Sequence, residues 1–147
     1  MNKDAWVQAR HEASAAELHE AWNSSAGLVH RIQRERGATC AWIASRSSSA
    51  GSDGASGLIK ANTLVIDFRK RTNACIVAGR NRFPPQVSDK LREVREIADN
   101  FFSSIRSDAS NKPLSADVTR RFSDVFTKYT DIISSVLNSS LMKRDNR

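Results

Sequence analysis

Little in this 147-residue sequence would let it cross a membrane, cross-link itself or hold a structural metal. No apolar run approaches the roughly 18 residues that a spanning helix requires, and the opening stretch MNKDAWVQARHEA is too polar for a secretory signal. These two absences make a soluble, cytoplasmic chain the expectation. Its two cysteines, Cys40 and Cys75, lack C-x-x-C or zinc spacing, so neither a disulfide framework nor a structural metal follows. His11, His19 and His30 are spaced by eight and eleven, which sets up no metal site, and no cofactor is expected. Paired carboxylates in a cleft-forming pattern, a nucleophile elbow and a phosphate-binding loop are all missing, so the chain is not read as an enzyme.

What is present suits one helical domain spanning residues 1–147. The length is enough for one continuous core, and a composition of 39% hydrophobic and 27% charged residues, with only six glycines and three prolines, is that of a foldable soluble protein. The formal charge of +7 favours anionic partners, leaving nucleic acid, acidic lipid and small anions all open.

Three stretches rich in turn formers interrupt the chain: Ser45 to Ser56, Gly79 to Pro85 and Ser107 to Leu114. Between them, apolar residues recur at three-four spacing. The first seam runs Leu18, Trp22, Ser25, Val29, Ile32, Arg36, Thr39, Ile43, and the second Leu58, Ala61, Val65, Phe68, Thr72, Cys75. The third runs Val87, Leu91, Val94, Ala98, Phe101, Ile105, and the fourth Val118, Phe122, Val125, Tyr129, Ile132, Val136. Companions such as Leu64, Ile76, Phe126 and Leu137 widen the seams into bundle-type stripes. Short connections favour antiparallel neighbours, so the pattern predicts an all-α, antiparallel up-down-up-down four-helix bundle. Pro84 and Pro85 suit the entry to the third helix, and Ser115 suits the cap of the fourth. The first helix is expected to extend upstream through Ala5, Trp6, Ala9 and Ala13.

Arg36 breaks the apolar rule of the first seam, because an unpaired buried guanidinium costs several kcal/mol. It is either paired with a carboxylate of another helix, turned so that its head escapes to solvent, or set against a bound anion, for which its planar fork is suited. Arg36 lies about nine residues before the Ser/Gly turn and Arg69 about twelve after it, so at ~1.5 Å per residue their depths differ by roughly one turn. In an antiparallel hairpin both could face one pocket, with the Thr72 hydroxyl one turn beyond Arg69. The same arithmetic separates Cys40 and Cys75 by about 20 Å, too far for a disulfide.

Leu28 to Gly37, LVHRIQRERG, resembles the L-V-x-x-L-Q-x-E-R-G signature of nitrate- and nitrite-sensing (NIT) domains. Arg69-Lys-Arg-Thr72-Asn73 resembles that family's R-x-x-T-D, with Asn73 where the pattern has Asp, and Tyr129 is followed by Ile132, Ile133, Val136 and Leu137 as the last helix of the family would have it. The resemblance covers residues 21–141. It implies an all-helical sensory domain whose ligand is nitrate or nitrite, with Arg36 as principal ligand and Arg69 and Thr72 in support. It also implies that Glu35 pairs with a neighbouring Arg or Lys, that Gln33 hydrogen-bonds across the bundle, and that an effector domain or protein partner receives the signal. A homodimer is a further expectation by analogy with sensory bundles.

Two other functions compete. A basic module would bind nucleic acid through Lys60, Arg69, Lys70, Arg71, Arg80 and Arg82, although no aromatic residues for base stacking are interleaved. A structural or oligomerising bundle would use the same Leu, Val, Ile and Phe stripes as core alone.

Overall fold

A computed structural model describes residues 25–47, 52–79, 83–105 and 116–145. Among these residues the chain is all-α, with α1 (Ser25–Ser47), α2 (Ser52–Gly79), α3 (Pro85–Ser104) and α4 (Ala116–Asp145) forming a four-helix bundle. The expected upstream extension of the first helix, together with Leu18, Trp22 and Ser115, lies outside the described residues.

The helix ends follow local chemistry in the best-defined case. Pro84 occupies the N-cap of α3 and Pro85 its first turn, where a missing N–H costs nothing, and the Val87 amide closes the turn on the Pro84 carbonyl at 3.0 Å. At the other end the Ile105 amide donates to the carbonyls of Phe101 and Phe102, both at 3.2 Å. One boundary differs from the sequence pattern. Ser45 to Ser56 reads as a turn, yet α1 continues through Ser47 and α2 begins at Ser52. Serine in a helix costs only about half a kcal/mol relative to alanine, so a run of serines shortens a helix only where packing does not hold it.

Side-chain pairs fix how the helices lie against one another. Glu35 with Arg95, Trp42 with Phe102 and Arg46 with Ile105 advance together along α1 and α3. Arg69 with Asp99 and Asn73 with Arg95 run in opposite order along α2 and α3, as do Lys90 with Ser135 and Phe101 with Arg121 along α3 and α4. That order is consistent with helices alternating in direction. The backbone of α1 packs most closely on α2 and α4, and α3 on α4. Among the described residues, α2 and α3 meet chiefly through long polar side chains.

The core is the predicted one in most positions. Val29, Ile32, Thr39 and Ile43 of α1, Ala61, Val65, Thr72 and Cys75 of α2, Val87, Leu91, Val94, Ala98 and Phe101 of α3, and Val125, Tyr129, Ile132 and Val136 of α4 are all buried. Leu64, Phe126 and Leu137 are not: each is more than two-fifths exposed. Leu58, Phe68, Ile105 and Phe122 are partly buried, and Arg36 is only half-buried while its neighbour Glu35 is fully buried. From Ile32 to Thr39 the steps three-then-four and four-then-three are both legal helical spacings. The sequence pattern takes the path through Arg36; the folded helix takes the one through Glu35.

Candidate functional site

The centre of the bundle is polar. Glu35 of α1, Asn73 of α2, Arg95 of α3 and Tyr129 of α4 meet there, one residue from each helix, and all are buried. Arg95 grips the Glu35 carboxylate in two parallel hydrogen bonds, Nε to Oε2 at 2.9 Å and Nη2 to Oε1 at 2.6 Å. This bidentate fork is the strongest geometry a guanidinium and a carboxylate can adopt. Arg95 also donates from Nη1 to Asn73 Oδ1 at 2.7 Å and from Nη2 to the Arg69 carbonyl at 3.4 Å.

Tyr129, the one tyrosine in the chain, donates its hydroxyl to Glu35 Oε2 at 2.6 Å. Because that hydrogen is committed, Thr39 must be the donor in the 3.3 Å contact between Thr39 Oγ1 and the Tyr129 oxygen. Burial alone would raise the Glu35 pKa, but the Arg95 charge and the hydrogen bonds from Arg95 and Tyr129 outweigh it and hold the carboxyl below the ordinary range. Burial opposes the charge on Arg95, and Glu35 more than restores it. Burial and the adjacent Glu35 charge push the Tyr129 phenol far up, so it stays a donor. The cluster is therefore a closed ionic clasp, with the expected pairing of Glu35 made by an arginine sixty residues away.

The sequence-predicted ligand residues lie around this clasp. Arg36 turns toward α4, donating from Nη1 to Thr130 Oγ1 at 3.1 Å with its guanidinium 4.5 Å from the centre of the Phe126 ring. Among the described residues, it faces a hydroxyl and an aromatic ring but no carboxylate. Arg69 turns toward α3 and clasps Asp99 through Nη1 at 3.2 Å and Nη2 at 2.8 Å. Thr72 is fully buried and donates to the Phe68 carbonyl one turn back on its own helix. The hydrogen bonds of the three thus lead to different helices.

Gln33 is exposed rather than bonded across the bundle, since it lies on the outer side of α1 from Ile32 and Glu35. In the basic stretch, Arg69 and Arg71 are paired with Asp99 and Asp67, Lys60 and Lys70 are exposed, and Arg80 and Arg82 lie outside the described residues. Both cysteines are free, Cys75 buried and Cys40 partly so. His30 is exposed, His11 and His19 lie outside the described residues, and no group of metal ligands occurs among the described residues. No described helix is long and apolar enough to cross a membrane.

Arg95 escaped the sequence reading. It stands beside Val94 on the apolar seam, four residues after Leu91 and three before Ala98, so the same spacing that admits Val94 to the core also admits Arg95. A buried Glu on one helix requires a cation on another, and that requirement, once applied to Glu35, would have pointed to such a residue.

Four helices closed around an ionic clasp, with two further guanidiniums near it, define an all-α bundle with a polar centre. A family model described as nitrate and nitrite sensing matches residues 27–146, nearly the whole of the four helices, and the chain belongs to that family of signal-transducing sensory domains. No curated protein and no solved structure matches it.

Proposed function

We propose that this domain binds a small planar oxyanion, nitrate or nitrite, and passes the binding on as a change in how its helices pack. The observation that carries the reading is the family match across residues 27–146. Arg36 is its principal ligand. A half-buried guanidinium whose partners among the described residues are one neutral hydroxyl and one ring retains donors for an anion. Arg69 and Thr72 act in support, through the helix that follows.

An anion transmits a signal only to the extent that it binds two helix arrangements unequally. A ligand joining α1 to its neighbours would favour one register of α1 over another, and α1 and α4 would deliver the shift to an effector domain or a protein partner. The chain has no assigned chemistry of its own in this scheme.

Thermal unfolding with nitrate, nitrite, chloride and sulfate at matched ionic strength tests the reading. We expect a rise in Tm confined to nitrate or nitrite and lost in Arg36→Ala. No selective rise with any of these anions would overturn it, whereas a selective rise kept in Arg36→Ala would retain the sensory role and remove Arg36 from the site.

A further inference from the structure

Among the described residues, two buried donors have no acceptor: the indole Nε1 of Trp42 and the Nε of Arg69, although Trp42 is only 6% exposed. Neither atom can accept a hydrogen bond, so whatever completes them must be an acceptor. The two side chains are neighbours, the Arg69 guanidinium carbon lying 5.8 Å from the centre of the Trp42 ring. Phe102 also stacks on Trp42, the ring centroids 3.7 Å apart with 10° between the planes.

The rest of the Arg69 fork is filled by a carboxylate from the same chain. Asp99 takes both Nη donors, and its side chain is 50% exposed while that of Arg69 is 17% exposed. A carboxylate and nitrate or nitrite offer a guanidinium the same thing, two oxygens in a plane sharing one negative charge. Asp99 therefore occupies the place of a ligand at an arginine that solvent can reach.

We propose that Asp99 is a built-in competitor for a planar oxyanion at Arg69, and that Trp42 Nε1 supplies the extra donor which the incoming anion gains and Asp99 does not use. This rests on the reading that the domain senses such an anion, and gives the supporting residue Arg69 a competitor and a neighbouring donor of its own, apart from Arg36.

The exchange has a structural consequence. Polar ties one helical turn apart join α2 and α3: Arg95 to Asn73 and to the Arg69 carbonyl inside, and Asp99 to Arg69 outside. The inner tie is buried in the clasp and persists. The outer tie is half-exposed and is broken when the anion takes Arg69, so α3 is released from α2 at one point while the bundle stays closed.

The test is a titration of the uniformly 15N-labelled protein, following indole N–H resonances. The chain has three tryptophans, and the Trp42 signal is the one missing from Trp42→Phe. We expect that signal to shift saturably with nitrate or nitrite and not with chloride. The apparent Kd should tighten about fivefold in Asp99→Asn, the equivalent of the ~1 kcal/mol upper range of a half-exposed ion pair. It should weaken in Trp42→Phe when followed by Tm, since phenylalanine keeps the stack on Phe102 and loses the N–H. An equal response to chloride would overturn the oxyanion assignment. A nitrate-selective Tm rise with a stationary Trp42 signal and an unchanged Kd in Asp99→Asn would overturn this inference and leave the sensory reading standing. No response of either probe to any anion, in the wild type and in Asp99→Asn, would overturn both.

Discussion

Replacing Arg95 by methionine isolates the energetics of the clasp. Methionine matches the arginine stem in length and flexibility, so the change removes the charge and its donors while filling much of the same volume. Glu35, fully buried, is then left with the Tyr129 hydroxyl as its remaining partner in the clasp, and Asn73 Oδ1 loses its 2.7 Å donor. Removing one partner of a buried ion pair typically costs about 3–5 kcal/mol, a large share of the roughly 5–15 kcal/mol that keeps a domain of this size folded. Replacing both partners, Glu35→Leu with Arg95→Met, removes the desolvation cost of each and should cost far less than the sum of the single changes. Urea unfolding at pH 7 measures all three variants. The pH dependence supplies a second check. In the wild type the folded Glu35 pKa is lowered from its ordinary 4.5, so its contribution is complete above that value and is lost as pH falls through the lowered pKa. In Arg95→Met, burial remains without Arg95, the folded pKa rises above the unfolded one, and the penalty disappears as glutamate protonates. The cost of Arg95→Met should therefore shrink between pH 7 and pH 4. Additive single-variant costs, or a cost independent of pH, would refute the clasp as an ionic unit.

Tyr129→Phe removes the donor to a buried carboxylate and should cost about 1.5–3 kcal/mol by urea unfolding, the range for hydrogen bonds to charged groups. Two glycines on helices should respond in opposite directions. A Cβ at Gly79 would clash with the buried Phe83 ring, so Gly79→Ala should lower stability by about 1–3 kcal/mol, whereas a Cβ at exposed Gly37 meets nothing within 4 Å. Gly37→Ala should raise stability by roughly 0.5–1 kcal/mol in the same assay. Thiol titration at pH 8 should label Cys40 before Cys75 in the folded protein, because Cys75 is buried; Cys40 itself should react more slowly than an open thiol, since burial raises its pKa despite the Arg36 charge.

The fold was legible because the apolar seams of four helices are long and seldom slip. The pattern through Val87, Leu91, Val94, Ala98 and Phe101 matches the buried face of α3 at every position. The polar centre was legible only in part. A three-four seam locates a face to within one residue, and one residue is about 100° of rotation. That ambiguity is harmless between two leucines and decisive between Glu35 and Arg36, or between Val94 and Arg95. The turn after α1 was overestimated for a different reason: composition marks where a helix is permitted to stop, and packing decides whether it does.

The two arginine–carboxylate pairs of α3, Arg95 with Glu35 of α1 and Asp99 with Arg69 of α2, have opposite uses, and burial decides which is which. Arg95 with Glu35 is sealed at 1% and 0% exposure of the side chains, so a solvent anion would have to displace a partner held by three hydrogen bonds in a medium where exchange leaves a bare charge. Such a pair adds little net stability over a well-packed apolar core. Its effect here is on register: one residue from each helix must arrive at the same point for the donors and acceptors to be satisfied, and a helix displaced by one residue would leave charges unpaired. Arg69 with Asp99 has the same fork geometry at a site open to solvent, where an ion pair contributes at most about 1 kcal/mol and an incoming anion can compete on nearly equal terms. In the exchange we propose, the buried pair fixes the arrangement from which the change is made and the exposed pair is the one weak enough to be exchanged.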